Sequence, residues 1–274
     1  MSYLRSRQYF QQEISQPDKQ IDLGLSALYI AQEEYPSLDT IQYLNALDAM
    51  ASEIKKRLPV QKYPLKIIQV INNYLYDDLK FNGNTTDYYD PRNSFLNEVI
   101  KRRVGIPITL SLVYLEITKR LDFPMVGVGM PGHFLIRPQV AEMEIFVDPF
   151  NRGEVLFPDD CQERIMQVYG QPITMQPEFL ANITNRQFLA RMLSNLKLIY
   201  LNSQQLDKAL AAIERILLLF PDAIVEVRDR GLVYYQIGRW VAAVEDFEAY
   251  LHKVPDAQDA PVIRRLLKQL DTNL

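Results

Sequence analysis

Cysteine is almost missing from this chain: its 274 residues hold one, Cys161. A single thiol excludes an internal disulfide framework and any Cys-rich zinc or iron–sulfur site, and it fits a reducing compartment. Histidine is nearly as scarce. With only His133 and His252 there are too few soft ligands for a His-rich centre, and neither metal nor cofactor is expected. Long apolar runs are absent as well: no stretch reaches the ~18 residues of a membrane span. The opening "MSYLRSRQYFQQEISQPDKQ" is polar and lacks the apolar core of a signal peptide, so the expected location is the cytoplasm. Nor is there an excess of positive charge. A net charge of −4 and an isoelectric point near 5.4 argue against a general binder of nucleic acid or anionic membrane. The local cluster Lys101-Arg102-Arg103 reads as the solvated end of a helix.

What is present is enough to fold. The hydrophobic fraction of 48% supports sizeable cores, and the length suits one large or two modest domains. Residues 21–58 carry apolar positions at three- and four-residue steps (Leu25, Leu28, Tyr29, then Ile41, Leu44, Leu47, Met50), which predicts two helices split at Pro36. Ser37 or Asp39 can cap the second. A further helix follows the Pro59/Pro64 break, and "FNGNTTDYYDPRNS" is a polar loop. "NSFLNEVIKRRVG" predicts a helix capped by Asn93 or Ser94 and ended by Gly105. "IPITLSLVYLEITKRL" then opens a helix with Pro107 in its first turn and apolar residues almost all round, hence buried. Three strand-like runs come next, "MVGVGM", "HFLIRP" and "EIFVDPF". Helical block, buried helix and antiparallel sheet together make an α+β domain.

From about residue 185 the chain repeats. An offset of 34 aligns Tyr200 with Tyr234, Leu206 with Trp240, Ala209 with Ala243, Ile213 with Phe247, Leu217 with Leu251 and Pro221-Asp222-Ala223 with Pro255-Asp256-Ala257. That period, with a small residue in the second helix and proline after it, is the tetratricopeptide pattern. The expected domains are 1–180, an α+β domain with a helical N-terminal block, and 181–274, a repeat segment with units at about 190–223 and 224–257 plus a capping helix. Trp240, Tyr234 and Tyr235 fall at core-packing positions, while His252 lies in a last helical turn at the surface. Arg228, Arg230 and Arg239 could line an acidic-peptide groove or pair locally with carboxylates such as Asp229.

The chemistry centres on His133. It starts one strand-like run and Asp148 ends the next, so antiparallel pairing would bring them together. A carboxylate beside an imidazole fixes its tautomer and raises its basicity, which is two-thirds of a nucleophile–base–orienter set. The third member belongs at the start of the buried helix, in "GIPITLS". In this order residues 93–157 resemble the core of the transglutaminase-like (papain-like) superfamily, with a Gly-x-Cys helix start, a strand bearing Gly-His and a strand ending in Val-Asp-Pro. "NSFLNEVIKRRVGIPITLSLVYLEI", "MPGHFLIRP" and "VDPFNRGEVL", with "EEYPSL" and the repeats, resemble its SirB branch over nearly the whole chain. The resemblance implies that His133 and Asp148 match the family's base and orienter.

One position departs from the family. Pro107 stands where the resemblance puts the nucleophilic cysteine, and proline has no nucleophilic atom. Ser111 returns to the same helix face one turn on, where a hydroxyl more often bonds a backbone carbonyl. Cys161 lies in "FPDDCQERIMQVYG", in the first turn of a helix capped by Asp159 or Asp160, and can be read as a displaced thiol or as a partly buried small side chain. The catalytic candidates are therefore His133, Asp148, Ser111 and Cys161. The binding candidates are His133, Asp148, Arg137, Asn151 and Arg152. The favoured expectation is a non-catalytic transglutaminase-like protein binding a protein or peptide partner through its repeats. The alternative is a hydrolase or acyltransferase with His133 as general base, and a third reading is a regulator acting through its repeats alone.

Overall fold

The opening helices follow from their caps. The computed structural model describes residues 2–61, 63–140, 143–171 and 176–271. It begins with α1 (Ser2–Ile14), α2 (Leu23–Glu34) and α3 (Thr40–Arg57). Asp22 starts α2 by accepting the Leu25 N–H at 2.8 Å, and Asp39, not Ser37, starts α3 by accepting the Ile41 N–H at 3.0 Å. α4 (Pro64–Asn72) uses its proline in the first turn and runs on into a π-helical stretch, Asn73–Asp78. A two-residue strand, β1 (Asn82–Gly83), pairs in parallel with β2 (Val104–Gly105) across α5 (Leu96–Arg102).

Around α5 two sequence expectations are corrected. Asn93 and Ser94 do not cap the helix: they close a 3-10 turn, Pro91–Ser94, and Phe95 precedes the first helical residue. Nor is Gly105 its C-terminal glycine. Arg103 ends α5 in the left-handed region at φ 60°, its N–H bonded to Val99 O at 2.8 Å. Gly105 is needed for space instead, since a Cβ there would stand 2.8 Å from the Thr109 hydroxyl oxygen.

α6 (Pro107–Arg120) is buried from Pro107 through Thr118, as its all-round apolar pattern predicts. Leu112, Tyr114 and Ile117 have no exposed surface, and burial of an aliphatic or aromatic side chain to that degree contributes about 1.5–3 kcal/mol. Against it lies an antiparallel sheet in the order β3 (Met125–Val128), β4 (Leu135–Pro138), β5 (Phe146–Asp148), β6 (Glu154–Leu156). The first three are the expected strands, shorter than their sequence runs; β6 was not anticipated. α7 (Pro158–Tyr169) packs Cys161 and Ile165 into a cluster with Val128, Met130, Leu135, Phe146 and Leu156. The fold is α+β, mostly helical with a small antiparallel sheet in the middle.

The chain divides into two compact units, Met1–Leu189 and Ala190–Leu274, within α8 (Asn185–Asn202). The second unit continues through α9 (Leu206–Leu219), α10 (Ile224–Gln236), α11 (Trp240–Lys253) and α12 (Ala260–Asp271). Two of the aligned pairs match in burial, Ala209 and Ala243 fully buried as are Ile213 and Phe247. Arg228 pairs with Asp229 and Asp259, and Arg230 with Asp246, which is the local pairing rather than an open cationic groove. His252 is exposed in the last turn of α11. Trp240 is a correction: it is 43% exposed, because the first residue of a helix has a helical neighbour on one axial side only. Residues 272–274, the end of the expected capping segment, lie outside the described residues. Among the described residues no helix is long and apolar enough to cross a membrane.

Candidate functional site

Strand register brings the two central residues together. β4 and β5 pair with Ile136 opposite Val147, so Leu135 faces Asp148 and His133 lies just beyond the ladder. The left-handed Gly132, at φ 69°, turns the chain there, and the His133 N–H donates to Met130 O at 3.1 Å. Asp148 ends β5 and caps the 3-10 turn Pro149–Asn151.

The Asp148 carboxylate is fully buried and accepts five hydrogen bonds. Oδ1 takes the backbone N–H of Phe150 at 3.1 Å and of Asn151 at 3.2 Å. Oδ2 takes His133 Nε2–H at 2.7 Å, the Asn151 amide at 2.9 Å and the Arg164 guanidinium. Burial alone would raise its pKa, but the bond and charge of His133, the Asn151 amide and the Arg164 cation outweigh it and hold the carboxyl below the usual range. Asp148 is therefore ionised at neutral pH. Arg164 also reaches Glu154 Oε2 at 2.8 Å, so three side chains from three segments converge on one oxygen.

The loop after Asp148 is held by residues the sequence reading passed over. Tyr76, in the π-helical stretch, donates its hydroxyl to Pro149 O at 3.0 Å, and the Asn72 amide donates to Gly153 O at 2.7 Å. Tyr114 of α6 in turn donates to Asn72 Oδ1 at 3.1 Å. The Phe150 ring stands edge-on to His133 at 6.0 Å and packs against Tyr88 at 6.3 Å, leaving the His133 side chain 11% exposed. Gly83 makes room for that ring: a Cβ on it would lie 2.6 Å from Phe150.

Of the remaining candidates, Asn151 joins the cluster while Arg137 and Arg152 are engaged elsewhere. Arg137 lies over the Phe146 ring at 5.4 Å, and Arg152 pairs with Asp77 at 2.6 Å. Pro107 does start α6, and the nearby hydroxyls are occupied or enclosed. Thr109 accepts the Ile106 N–H at 3.1 Å and donates to Asn93 O at 2.7 Å. The Ser111 hydroxyl is fully buried with no hydrogen-bond partner among the described residues, so it does not bond His133. Cys161 is fully buried rather than partly so; its helix starts after Phe157, and Asp160, three residues on, caps it by accepting the Phe157 N–H at 2.7 Å. Burial first, then the Asp160 charge, pushes the thiol up to about 12, which leaves ~10⁻⁵ of it as thiolate at pH 7. Arg164 was missed although a signal existed. It sits between Cys161 and Ile165, the two residues that mark the buried face of α7, and a cation there needs a buried partner.

Residues 41–194 match the transglutaminase-like superfamily and residues 196–268 the tetratricopeptide repeat. A UPF0162 protein of Xylella fastidiosa is 37% identical over 258 residues, covering 92% of this chain and 91% of its own length. One from Vibrio cholerae is 29% identical over 196 residues, 71% of this chain and 72% of its own. Human F-box only protein 21 is 29% identical over 238 residues; these are 82% of this chain but 35% of that protein. No solved structure matches.

Proposed function

The chain belongs to the transglutaminase-like superfamily, among the UPF0162 proteins, and carries tetratricopeptide repeats; from that premise we propose that it is a non-catalytic, SirB-type member acting in the cytoplasm as a protein- or peptide-binding adaptor. Residues 1–180 form the transglutaminase-like part and residues 181–274 the partner-binding repeats. The observation that supports this reading is the state of the nucleophile candidates among the described residues. Pro107 occupies the helix start, Thr109 is spent on backbone groups, Ser111 makes no bond to the imidazole, and Cys161 is a core thiol. With these candidates spent or enclosed, His133 and Asp148 act as a tie that holds the start of β4, the loop after β5 and α7 together, with Asn151 completing it.

A hydrolase or acyltransferase using His133 as general base toward water is the second reading, favoured by the 2.7 Å bond to an ionised Asp148. Against it, Arg164 shares the same carboxylate oxygen and draws off the charge that would support a protonated imidazole. The test compares wild type with His133→Ala for ammonia release from glutamine peptides and for ester and peptide hydrolysis. Equal background rates are expected; a His133-dependent rate overturns the adaptor reading. Removal of residues 185–274 is expected to abolish capture of a binding partner that His133→Ala still retains.

A further inference from the structure

A second site lies away from the His133–Asp148 pair, where the outer edge of β3 meets a cavity. The register of β3 with β4 decides which of its backbone groups face outward. The Gln139 N–H donates to Pro124 O at 2.8 Å, so residues 124, 126 and 128 carry the ladder bonds to β4. Met125 and Gly127 turn their N–H and C=O groups the other way. At Gly127 the chain covers its own edge: the Ile183 N–H donates to Gly127 O at 3.0 Å, and Asn182 bridges to Val128. Met125 remains. It is half-buried, and neither its N–H nor its C=O has a hydrogen-bond partner among the described residues. One residue is too little to seat another strand, but it is enough to hold one planar group.

In an extended strand the N–H and C=O of one residue lie on the same side, about 3 Å apart. Such a pair is matched by a planar edge that sets an acceptor beside a donor. A lactam or carboxamide has one, O=C–N–H, and so does an aminated heterocycle such as adenine, N=C–N–H. Met125 lines a cavity of about 570 Å³, within the ~300–1,000 Å³ range of small-molecule sites. All its lining residues belong to the first unit, and Ile21, Leu23, Leu115, Phe123 and Phe188 supply apolar walls.

The charged groups there do not call for an ion. Glu116 accepts the Gly24 N–H at 3.1 Å and pairs with Arg120, and Lys119 pairs with Asp22 at 2.9 Å. Lys19 and Asp122 are solvent-exposed and opposite in sign. The start of α8 is no anion site, because the Asp18 carboxylate accepts the Asn185 N–H at 3.0 Å and the Arg186 N–H at 2.9 Å. The Asn185 side chain is spent as well, on Asp18 O at 2.9 Å and Ile21 O at 3.1 Å. Left over within the wall are the donor and the acceptor of Met125.

We infer that this cavity binds a small, neutral, planar molecule that pairs an amide-like edge with the N–H and C=O of Met125. The apolar walls take the body of the ligand, and the two backbone bonds fix its orientation, the usual division of labour in a small-molecule site. The site is independent of the repeats and of His133.

The test uses the full chain and two matched pairs of probes. Carbostyril, the lactam of quinoline, presents O=C–N–H, and N-methylcarbostyril is the same ring system without the donor. Adenosine and the analogue whose amino group is dimethylated differ in the same way. Carbostyril at saturation is expected to slow amide hydrogen exchange at Met125 at least ~10-fold. Its methylated form is expected to bind at least ~10-fold more weakly, because the Met125 C=O then goes unpaired. An adenosine that acts as carbostyril does identifies a nucleoside as the source; one without effect restricts the ligand to lactams and carboxamides. Leu23→Trp, which fills the cavity, is expected to abolish binding. Unchanged exchange at Met125 with both carbostyril and adenosine at ~1 mM overturns the proposal. So does equal binding of each probe and its methylated form, a comparison that needs no variant to fold.

Discussion

Replacing Asp148 by asparagine probes the centre of the molecule with the shape nearly unchanged. The carboxylate accepts two backbone N–H groups on Oδ1 and three side-chain donors on Oδ2. An amide can satisfy one set with its oxygen, but its NH₂ then faces donors in a fully buried place. Each lost charge-assisted bond is worth ~1.5–3 kcal/mol, and breaking a buried ion pair from one side costs ~3–5 kcal/mol. Because the Arg164 side chain keeps 23% exposure and can turn partly to water, the expected loss is about 3–5 kcal/mol rather than the sum of all three. The assay must report on the right unit. The single tryptophan, Trp240, lies in the repeats, so its fluorescence serves as the control, and amide exchange at β5, at Val147 for example, gives the measurement. The pH dependence fixes the sign. Asp148 has a lowered folded-state pKa, so its contribution is present above the unfolded value of ~3.9 and is lost as pH falls through the folded value. The gap between wild type and Asp148→Asn is expected to be flat from about pH 5 to 8 and to close below about pH 4. A gap below ~1 kcal/mol at pH 7, or one that persists undiminished at pH ~2, would refute the claim that an ionised Asp148 ties these segments together.

Cys161 is expected to resist iodoacetamide in the native protein and to react at once in denaturant, since both burial and a pKa near 12 oppose the thiolate; native labelling within minutes, followed by mass spectrometry, would contradict its placement in the core. In the repeats, Phe247→Ala is expected to cost ~3–5 kcal/mol and Trp240→Ala less than ~1 kcal/mol in urea unfolding followed by circular dichroism, the reverse of what side-chain size suggests; equal costs would mean that Trp240 packs after all.

The parts of the fold legible in the sequence were those set by local rules. The 34-residue register picked out Ala209/Ala243 and Ile213/Phe247 correctly, because a repeat carries its neighbour's environment with it. The all-round apolar pattern of α6 announced its burial. The His133–Asp148 contact was accessible because antiparallel strands join first to last. Trp240 was misplaced since periodicity assigns a face but not the distance from a helix end, and β6 was overlooked because a three-residue strand has too few residues to show alternation. Asn93, Ser94 and Gly105 were given capping roles by residue type, whereas Asn93 and Ser94 belong to a 3-10 turn and Gly105 is required by its close approach to Thr109.

By itself the sequence determined the order of the main helices and of three strands, the repeat and the His–Asp pairing, because periodicity and pairing rules act over a few residues. Tertiary structure alone decided what surrounds those groups. Only the docking of α7 on the sheet brings Arg164 to Asp148 and encloses Cys161, and only the register of β3 leaves Met125 facing a cavity. Ionisation and the fate of unpaired backbone groups depend on desolvation and on partners distant in the chain. No local pattern encodes either.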